Sequence, residues 1–342
     1  MTEQKNREIR LVRRPEGLPR PADFELVETP VPAPGPGQIL VRNIYMSVDP
    51  YMRGRMMDRK SYVPPFQIGE TLSGGAVGQV VEANGHPAFR KGDYVSNMEG
   101  WREWFVSKGA MMQKIDPEAA PIQAYLGTFG MPGLTAYAGL LRVAKLKEGD
   151  RVFVSAASGA VGSIVCQIAK NKGCTVVGSA GSDDKCDWLR TQARVDEAIN
   201  YKTCGDLTAA VRKTMPEGID VYFENVGGAH LEAALANMRP FGRIAVCGLI
   251  EQYNATALPA GPRNFVSIIG LRLTVTGFIV SDHFDMQQDF LRDMAAWKKD
   301  GKLTWHETVV DGIEHAPEAF IGLFKGANFG KMLVKIGPDS AV

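Results

Sequence analysis

The sequence has little net charge, since 39 Lys and Arg residues nearly balance 38 Asp and Glu residues. A balanced surface gives no general attraction for nucleic acid or for an anionic membrane. No apolar run approaches the ~20 residues that a membrane-spanning helix needs. The first residues are polar and lack the apolar stretch of a secretory signal. We therefore expect a cytoplasmic protein with neither a nucleic-acid nor a membrane partner.

Cysteine and histidine are also scarce. The five Cys residues form no C-x-x-C pair, and an odd number argues against a disulfide framework. The five His residues are scattered, with none at the i, i+4 spacing of a helical metal site and no Cys/His cluster typical of zinc. The sequence therefore predicts no metal, and it favours a reaction whose chemistry is carried by an organic cofactor.

The length of 342 residues favours two domains. Residues 1–127 contain short strands, such as 38–42 and 75–81, between Pro and Gly clusters, which predicts a β-rich domain. The alternating stretch 328–336 resembles those strands, so we assign residues 313–342 to the same domain. Residues 128–312 alternate strands with helices, which predicts a parallel sheet covered by helices on both faces.

A glycine-containing turn follows the apolar strand 151–155 and precedes a helix. Its pattern A-x-x-G-x-x-G has Ala156, Gly159 and Gly162 at the marked positions. The second position lets the backbone approach a pyrophosphate, and the third lets the helix pack closely on the strand. The helix start adds free N–H groups and partial positive charge. We predict that Gly159, Ala160, Val161 and Gly162 bind a dinucleotide.

The end of the next strand, 175–178, indicates which dinucleotide. NAD sites usually carry Asp or Glu there to bind the ribose 2′-hydroxyl, whereas this chain reads G-S-A-G-S over 178–182 with Lys185 just beyond. A cation without that carboxylate suits a 2′-phosphate. Asp183 and Asp184 weaken the signal, although acidic residues are also ordinary in the first turn of a helix. The pattern favours NADPH over NADH.

Four segments, in order along the chain, resemble one known family. They are RNIYMSVDPYMRGRM (42–56), GTFGMPGLTAY (127–137), ENVGG (224–228) and CGLIEQYN (247–254). Over essentially its whole length the sequence is similar to the zinc-independent medium-chain dehydrogenases/reductases. The similarity is to the branch of prostaglandin reductases, leukotriene hydroxydehydrogenases, plant 2-alkenal reductases and bacterial curcumin reductases. Zinc-dependent relatives have Cys near Asp49 and Gly-His-Glu where this chain reads Ile-Gly-Glu at 68–70, and they carry a four-cysteine lobe that it lacks.

The resemblance implies an α/β protein with a GroES-like β domain and a Rossmann doubly wound parallel-sheet domain. It also implies NADPH-dependent reduction of the carbon–carbon double bond of an α,β-unsaturated ketone or aldehyde, by hydride transfer to the β-carbon. A homodimer is implied as well, with the strand-like segment 271–279 pairing across a two-fold axis. The alternative for that segment is an ordinary edge strand within one subunit.

The resemblance carries roles over to particular residues. Tyr253 would reach the nicotinamide ribose and the substrate oxygen, and Tyr51 would form part of the substrate wall. Both are our candidate catalytic residues, although a lone Tyr is often a residue at the edge of a core. The other cofactor-binding residues implied are Lys185 and Tyr201 at the 2′-phosphate, Asn225 and Asn328 around the ribose and pyrophosphate, Phe278, Ile279 and Val280 at the nicotinamide, Cys247 and Gly248 at the end of the predicted strand 243–247, and Met131 beside the cofactor.

Two rival functions remain open at this point. A quinone reductase is a zinc-free enzyme of the same superfamily, and the Tyr253-Asn254 and Asp49-Pro50-Tyr51 motifs argue against it. A non-catalytic NADPH-binding protein is the alternative from another class, and the intact set of pocket residues argues against that. Asn225 also has two interpretations, because Asn before Gly-Gly is a common turn residue. Its place after the strand 219–224 favours ligand contact.

Overall fold

The structure is a computed structural model that describes residues 5–340, and the chain folds into two compact units. The first contains the described residues up to Leu126, Glu307–Asn328 and the described residues from Met332 onward. The second contains Gly127–His306 and Phe329–Lys331. The chain returns to the first unit at Glu307, six residues before the expected position 313, because a strand that begins there joins the sheet of that unit.

The elements of residues 5–340 are as follows, in chain order. The strands are β1 (Lys5–Leu11), β2 (Phe24–Pro30), β3 (Ile39–Ser47), β4 (Ala76–Glu82), β5 (Tyr94–Asn97), β6 (Trp104–Ser107), β7 (Gln113–Lys114), β8 (Arg151–Val154), β9 (Thr175–Ala180), β10 (Glu197–Asn200), β11 (Ile219–Glu224), β12 (Met238–Val246), β13 (Thr274–Gly277), β14 (Glu307–Asp311) and β15 (Lys331–Lys335). The α-helices are α1 (Met52–Arg55), α2 (Met131–Ala138), α3 (Gly162–Asn171), α4 (Asp183–Thr191), α5 (Leu207–Thr214), α6 (Gly228–Asn237), α7 (Ser267–Leu271), α8 (Gln287–Lys299) and α9 (Ala316–Leu323). No helix of this described part is long and apolar enough to cross a membrane.

The first unit is a β domain, as the sequence predicts. β1 pairs with β2, and a second sheet has the order β14-β15-β3-β4-β5-β7, with β6 also pairing with β3. The pairs β3–β4, β4–β5 and β3–β15 are antiparallel. One apolar core of this unit centres on aromatic rings: Phe24 stacks on Trp101 with ring centroids 6.2 Å apart, and Phe320 meets both rings edge-on.

The second unit is built on a parallel sheet with the order β10-β9-β8-β11-β12-β13. The order reverses between β8 and β11, because the chain adds strands outward from β8 in one direction and then outward from β11 in the other. Right-handed crossovers place the connecting helices on opposite faces in the two halves. The predicted doubly wound Rossmann-type sheet is confirmed. Ligands bind such sheets at the carboxyl ends of the strands, where the order reverses.

Helix α3 shows how tightly this unit is packed. Residues 162–169 are all buried, including the polar Ser163 and Gln167. The polar side is covered because the Gln167 amide makes two hydrogen bonds to the backbone of Thr304, at 2.9 and 2.8 Å. The helix that begins at the glycine turn is therefore fixed from both sides.

Candidate dinucleotide-binding site

The turn between β8 and α3 depends on close backbone packing. Ala156 adopts a left-handed conformation with φ of 47°, and its carbonyl points back at the helix start. A Cβ atom on Gly162 would overlap that carbonyl oxygen and come 2.9 Å from the Cα of Ala157. A Cβ on Gly159 would be 3.2 Å from the same oxygen. Packing therefore requires glycine at 162, whereas position 159 has room for a small adjustment.

The turn also presents unused donors. Within residues 5–340, no atom accepts a hydrogen bond from the backbone N–H of Val161 or Gly162. The first turn of α3 closes instead through Ser163 N–H, which donates to the carbonyl of Gly159 at 3.0 Å. Free N–H groups at the start of a ten-residue helix form a binding site for anions. The four predicted pyrophosphate-binding residues lie together in this turn.

A buried carboxylate, Glu224, links the strand ends where the sheet order reverses. One of its oxygens accepts hydrogen bonds from the hydroxyl of Ser155 at 3.0 Å and from the N–H groups of Val226 and Gly227 at 2.7 and 3.0 Å. Burial raises the pKa of Glu224 above its ordinary value. Sequence reasoning missed this role. The available signal was a charged residue directly after the uncharged run 221–223 of β11.

We expect Glu224→Ala to lower the free energy of unfolding by about 3 kcal/mol. It would leave one hydroxyl and two backbone N–H groups without their acceptor, and each buried donor that loses its partner costs about 1–3 kcal/mol. Glu224→Gln is the control, because its amide oxygen still accepts and it should differ from wild type by less than about 1 kcal/mol. Urea unfolding measures both, and equal losses in the two variants would contradict the assignment.

Asn225 joins the same two strand ends. Its N–H donates to the Ser155 hydroxyl at 2.9 Å, and its side-chain amide donates to the Ser155 carbonyl at 2.7 Å. The amide thus has a structural partner at the end of β8, which fits the turn interpretation. Its contact with a cofactor stays a prediction.

The end of β12 lies next to these groups. The N–H groups of Cys247 and Gly248 both donate to the carbonyl of Glu224, at 2.9 and 3.1 Å. Tyr253 follows a short 3₁₀ turn, Ile250–Gln252, and its hydroxyl would be 3.0 Å from a Cβ on Gly248. The candidate catalytic hydroxyl therefore lies over the carboxyl end of β12. Burial, with a smaller contribution from Glu224, raises the pKa of Cys247 to about 12, so its thiol is neutral at pH 7.

The residues predicted at the nicotinamide follow β13. The ring of Phe278 packs edge-on against that of Phe223, with centroids 6.2 Å apart. It also lies against Gly139, where an added Cβ atom would be only 2.6 Å from the Phe278 ring. Ile279 and Val280 continue the chain and are partly exposed. Met131 begins α2 and is 41% exposed. The Phe278 side chain is therefore held by the unit's interior.

The predicted 2′-phosphate residues lie at the ends of β9 and β10. Lys185 is in the first turn of α4, and the Tyr201 hydroxyl would be 2.9 Å from a Cβ on Gly181. The carboxylate of Asp183, one of the two acidic residues that weakened the sequence signal, accepts a hydrogen bond from the Asn200 amide at 2.7 Å. This carboxylate is therefore engaged by the neighbouring strand.

Two predicted site residues, Tyr51 and Asn328, belong to the first unit. Tyr51 precedes α1, and burial, with the nearby Asp49 carboxylate, raises the pKa of its phenol, so it is a neutral hydrogen-bond donor. The Arg55 guanidinium lies 4.0 Å above the centroid of the Phe66 ring.

Within the second unit, Gly330 N–H donates to the carbonyl of Ser158 at 3.0 Å, so the residues just after Asn328 contact the glycine turn.

Comparisons with known proteins agree with this architecture. A family model described as "N-terminal domain of oxidoreductase" matches residues 7–115, and one described as "Zinc-binding dehydrogenase" matches residues 160–296. The NADPH-dependent curcumin reductase of Escherichia coli is 42% identical over 341 residues, 98% of each chain. The NADP⁺-dependent 2-alkenal reductase of Nicotiana tabacum is 44% identical, over 98% of this chain and 99% of its own. The crystal structure of CurA from Vibrio vulnificus in complex with NADPH superimposes with a TM-score of 0.92 at 42% identity, covering 97% of this chain and 99% of that one.

The description of the second family model mentions zinc, but the described residues do not form a zinc site. Among residues 5–340, no three His, Cys, Asp or Glu side chains come together as metal ligands. The identity extends over nearly the full length of both named reductases. The chain belongs to the zinc-independent medium-chain dehydrogenases/reductases, in the branch that includes the curcumin and 2-alkenal reductases.

Proposed function

We propose that this protein is an NADPH-dependent reductase of the carbon–carbon double bond of α,β-unsaturated ketones and aldehydes. The observation that carries the proposal is the full-length identity of 42% and 44% with reductases named for NADPH and for curcumin or 2-alkenals. Those two substrates share a double bond conjugated to a carbonyl. Conjugation makes the β-carbon electrophilic, so a reductase mainly needs to position two reactants and exclude water.

The residues present fit NADPH. The glycine turn leaves the N–H groups of Val161 and Gly162 free for the pyrophosphate, and a side chain at Gly162 would fill the space that the turn needs. Lys185 and Tyr201 lie at the ends of adjacent strands, where the 2′-phosphate would bind. Together these features offer donors and positive charge at one edge of the sheet.

The chain's own groups have distinct tasks in the reaction. NADPH, when bound, supplies the hydride that adds to the β-carbon. Negative charge would then develop on the carbonyl oxygen as an enolate. The Tyr253 hydroxyl would donate a hydrogen bond to this oxygen, and the ribose 2′-hydroxyl of bound NADPH would supply a second donor. Water protonates the α-carbon, which completes the saturated product. Tyr51 lines the substrate site as a neutral phenol.

Absorbance of NADPH at its reduced-nicotinamide band tests the proposal. A 2-alkenal, an enone and a quinone are offered in parallel, and the product is identified by mass. Turnover of the enal and enone to saturated carbonyl products supports the proposal. Turnover of the quinone alone would assign a quinone reductase, and NADPH binding without turnover of any of the three would assign a binding protein.

We further propose a homodimer that forms through β13. This strand is at the edge of the parallel sheet, and Val275 on it is 41% exposed. Exposed apolar side chains lie nearby on and before α7: Phe265, Val266 and Ile269. An unpaired edge beside an apolar patch favours association with a second copy.

Light scattering should give twice the chain mass of 37.2 kDa for wild type and the single mass for Val275→Lys. A lysine at the edge introduces repulsion between the two copies and blocks pairing. Val309→Lys is the matched control, because Val309 is also an exposed valine on an edge strand, at 44% exposure, but on β14. A wild-type monomer at micromolar concentration would exclude the dimer.

A cytoplasmic location completes the proposal. The five cysteines are free thiols, and Cys166 and Cys174 are buried. Burial raises the pKa of Cys174 to about 11, which keeps it protonated. Unpaired thiols are typical of reducing compartments. Cell fractionation with an antibody to the protein measures the location directly.

A further inference from the structure

We propose that Lys202 is a second cationic residue for the 2′-phosphate of NADPH and that it contributes to the preference for NADPH over NADH. This inference rests on the proposed function, because it concerns how the same site selects its cofactor. It adds a residue to the pair, Lys185 and Tyr201, that the family resemblance implies.

Lys202 directly follows Tyr201 after the end of β10, so both residues lie at the same edge of the sheet. Asn200 and Ala180 are register partners on the parallel strands β10 and β9, so the residues that follow them emerge side by side at the carboxyl edge. A Cβ on Gly181 would lie 2.9 Å from the Tyr201 hydroxyl and 3.3 Å from the Cε of Lys202. The Tyr201 hydroxyl and the Lys202 side chain therefore flank Gly181. Because Gly181 has no side chain, space remains beside its backbone.

The charges around this space favour the binding of an anion. Burial, and then the charge of Lys202, lower the pKa of Lys185, so the two ammonium groups lie close enough to repel each other. Among residues 5–340, no carboxylate forms an ion pair with Lys202, and that of Asp183 is hydrogen bonded to Asn200. Two neighbouring cations are unfavourable in isolation and favourable around a doubly charged phosphate.

A second cation is also needed because a carboxylate lies nearby. After burial, the charge of Glu251 is the second cause that raises the pKa of Tyr201, which keeps this phenol protonated as a donor. One lysine beside one glutamate would leave the space almost neutral. Lys202 adds a second positive charge to this space, which favours a phosphate monoester with its ~1.5–2 negative charges at pH 7. The ribose of NADH carries no such charge and gains nothing from Lys202.

Equilibrium binding of NADPH and of NADH, measured by calorimetry on the full chain, tests the inference. Lys202→Met should weaken NADPH binding about tenfold, equivalent to about 1.4 kcal/mol, and leave NADH binding unchanged. Lys202→Arg should keep NADPH affinity close to that of wild type, since it keeps the charge. Lys202 is exposed, so these variants are expected to fold. Lys213→Met is the control, because Lys213 is an exposed lysine of the same unit on α5.

The outcomes separate the two proposals. Unchanged NADPH affinity in Lys202→Met, or an equal loss of NADPH and NADH affinity, would overturn the role of Lys202. A wild-type protein that binds neither dinucleotide would overturn the proposed function itself. Selective loss of NADPH affinity in Lys202→Met, with Lys213→Met unaffected, establishes Lys202 as a specificity residue even if no enone is turned over.

Discussion

Replacing Gly162 with alanine should lower NADPH affinity by about 100-fold and destabilise the protein by about 2–3 kcal/mol. The added methyl group would overlap the carbonyl oxygen of Ala156 and approach the Cα of Ala157. Both are backbone atoms, so relief requires the turn or the helix to move, and overpacking of this kind typically costs 1–3 kcal/mol. Movement of α3 also carries away the free N–H groups that would bind the pyrophosphate. Calorimetric titration and urea unfolding measure the two effects.

Gly159→Ala is the matched control for this prediction. Its methyl group would be 3.2 Å from the same carbonyl oxygen, a contact that a shift of a few tenths of an ångström relieves. We expect less than about 1 kcal/mol of destabilisation and a smaller loss of affinity than in Gly162→Ala. If the two alanine variants bind NADPH equally well, the packing argument for the third motif position is wrong.

Tyr253→Phe should lower kcat with an enone about 10²–10³-fold and leave NADPH affinity nearly unchanged. The hydroxyl is the proposed donor to the enolate oxygen, and loss of one such donor costs about 2.7–4 kcal/mol of transition-state stabilisation. The ring remains, so the end of β12 keeps its cover. Steady-state kinetics with saturating NADPH give kcat, and binding titrations give the affinity.

Tyr137→Phe provides the comparison, because it removes a tyrosine hydroxyl of the same unit that serves a structural contact. The Tyr137 hydroxyl donates to the Asp293 carboxylate at 2.8 Å. Its loss should reduce the free energy of unfolding by about 1 kcal/mol and leave kcat within a few-fold of wild type. Full turnover by Tyr253→Phe would remove Tyr253 as the enolate donor.

Much of the architecture was predictable because it depends on local patterns. The A-x-x-G-x-x-G spacing between a strand and a helix predicts the turn from Ala156 to Gly162, since close packing leaves few residue types possible there. Strands alternating with helices predict the parallel sheet, because a crossover connection requires them. Residues 178–182, at the end of β9, contain no carboxylate, and this favours NADPH for a reason of charge alone.

The remaining features depend on partners distant in the sequence. One partner of Glu224 is Ser155, which lies 69 residues earlier and comes next to it through strand pairing. The role proposed for Lys202 depends on its closeness to Gly181, which directly follows the neighbouring strand β9. Asn225 illustrates the same limit, because Asn before Gly-Gly suits a turn and a ligand equally well. Sequence spacing does not reveal which side chains a sheet brings together.

The path of the chain after Asn328 limits how this protein can be dissected. Phe329–Lys331 belong to the second unit, although the segments before and after them belong to the first. Gly330 pairs with Gly159, and Lys331 N–H donates to the carbonyl of His306 at 3.0 Å. A fragment that ends at His306 would keep all the strands of the parallel sheet. It would still lose the contact of Gly330 with the glycine turn and that of Lys331 with His306. The dinucleotide-binding unit is therefore continuous in space but not in sequence, and it is complete only when the C-terminal segment is present.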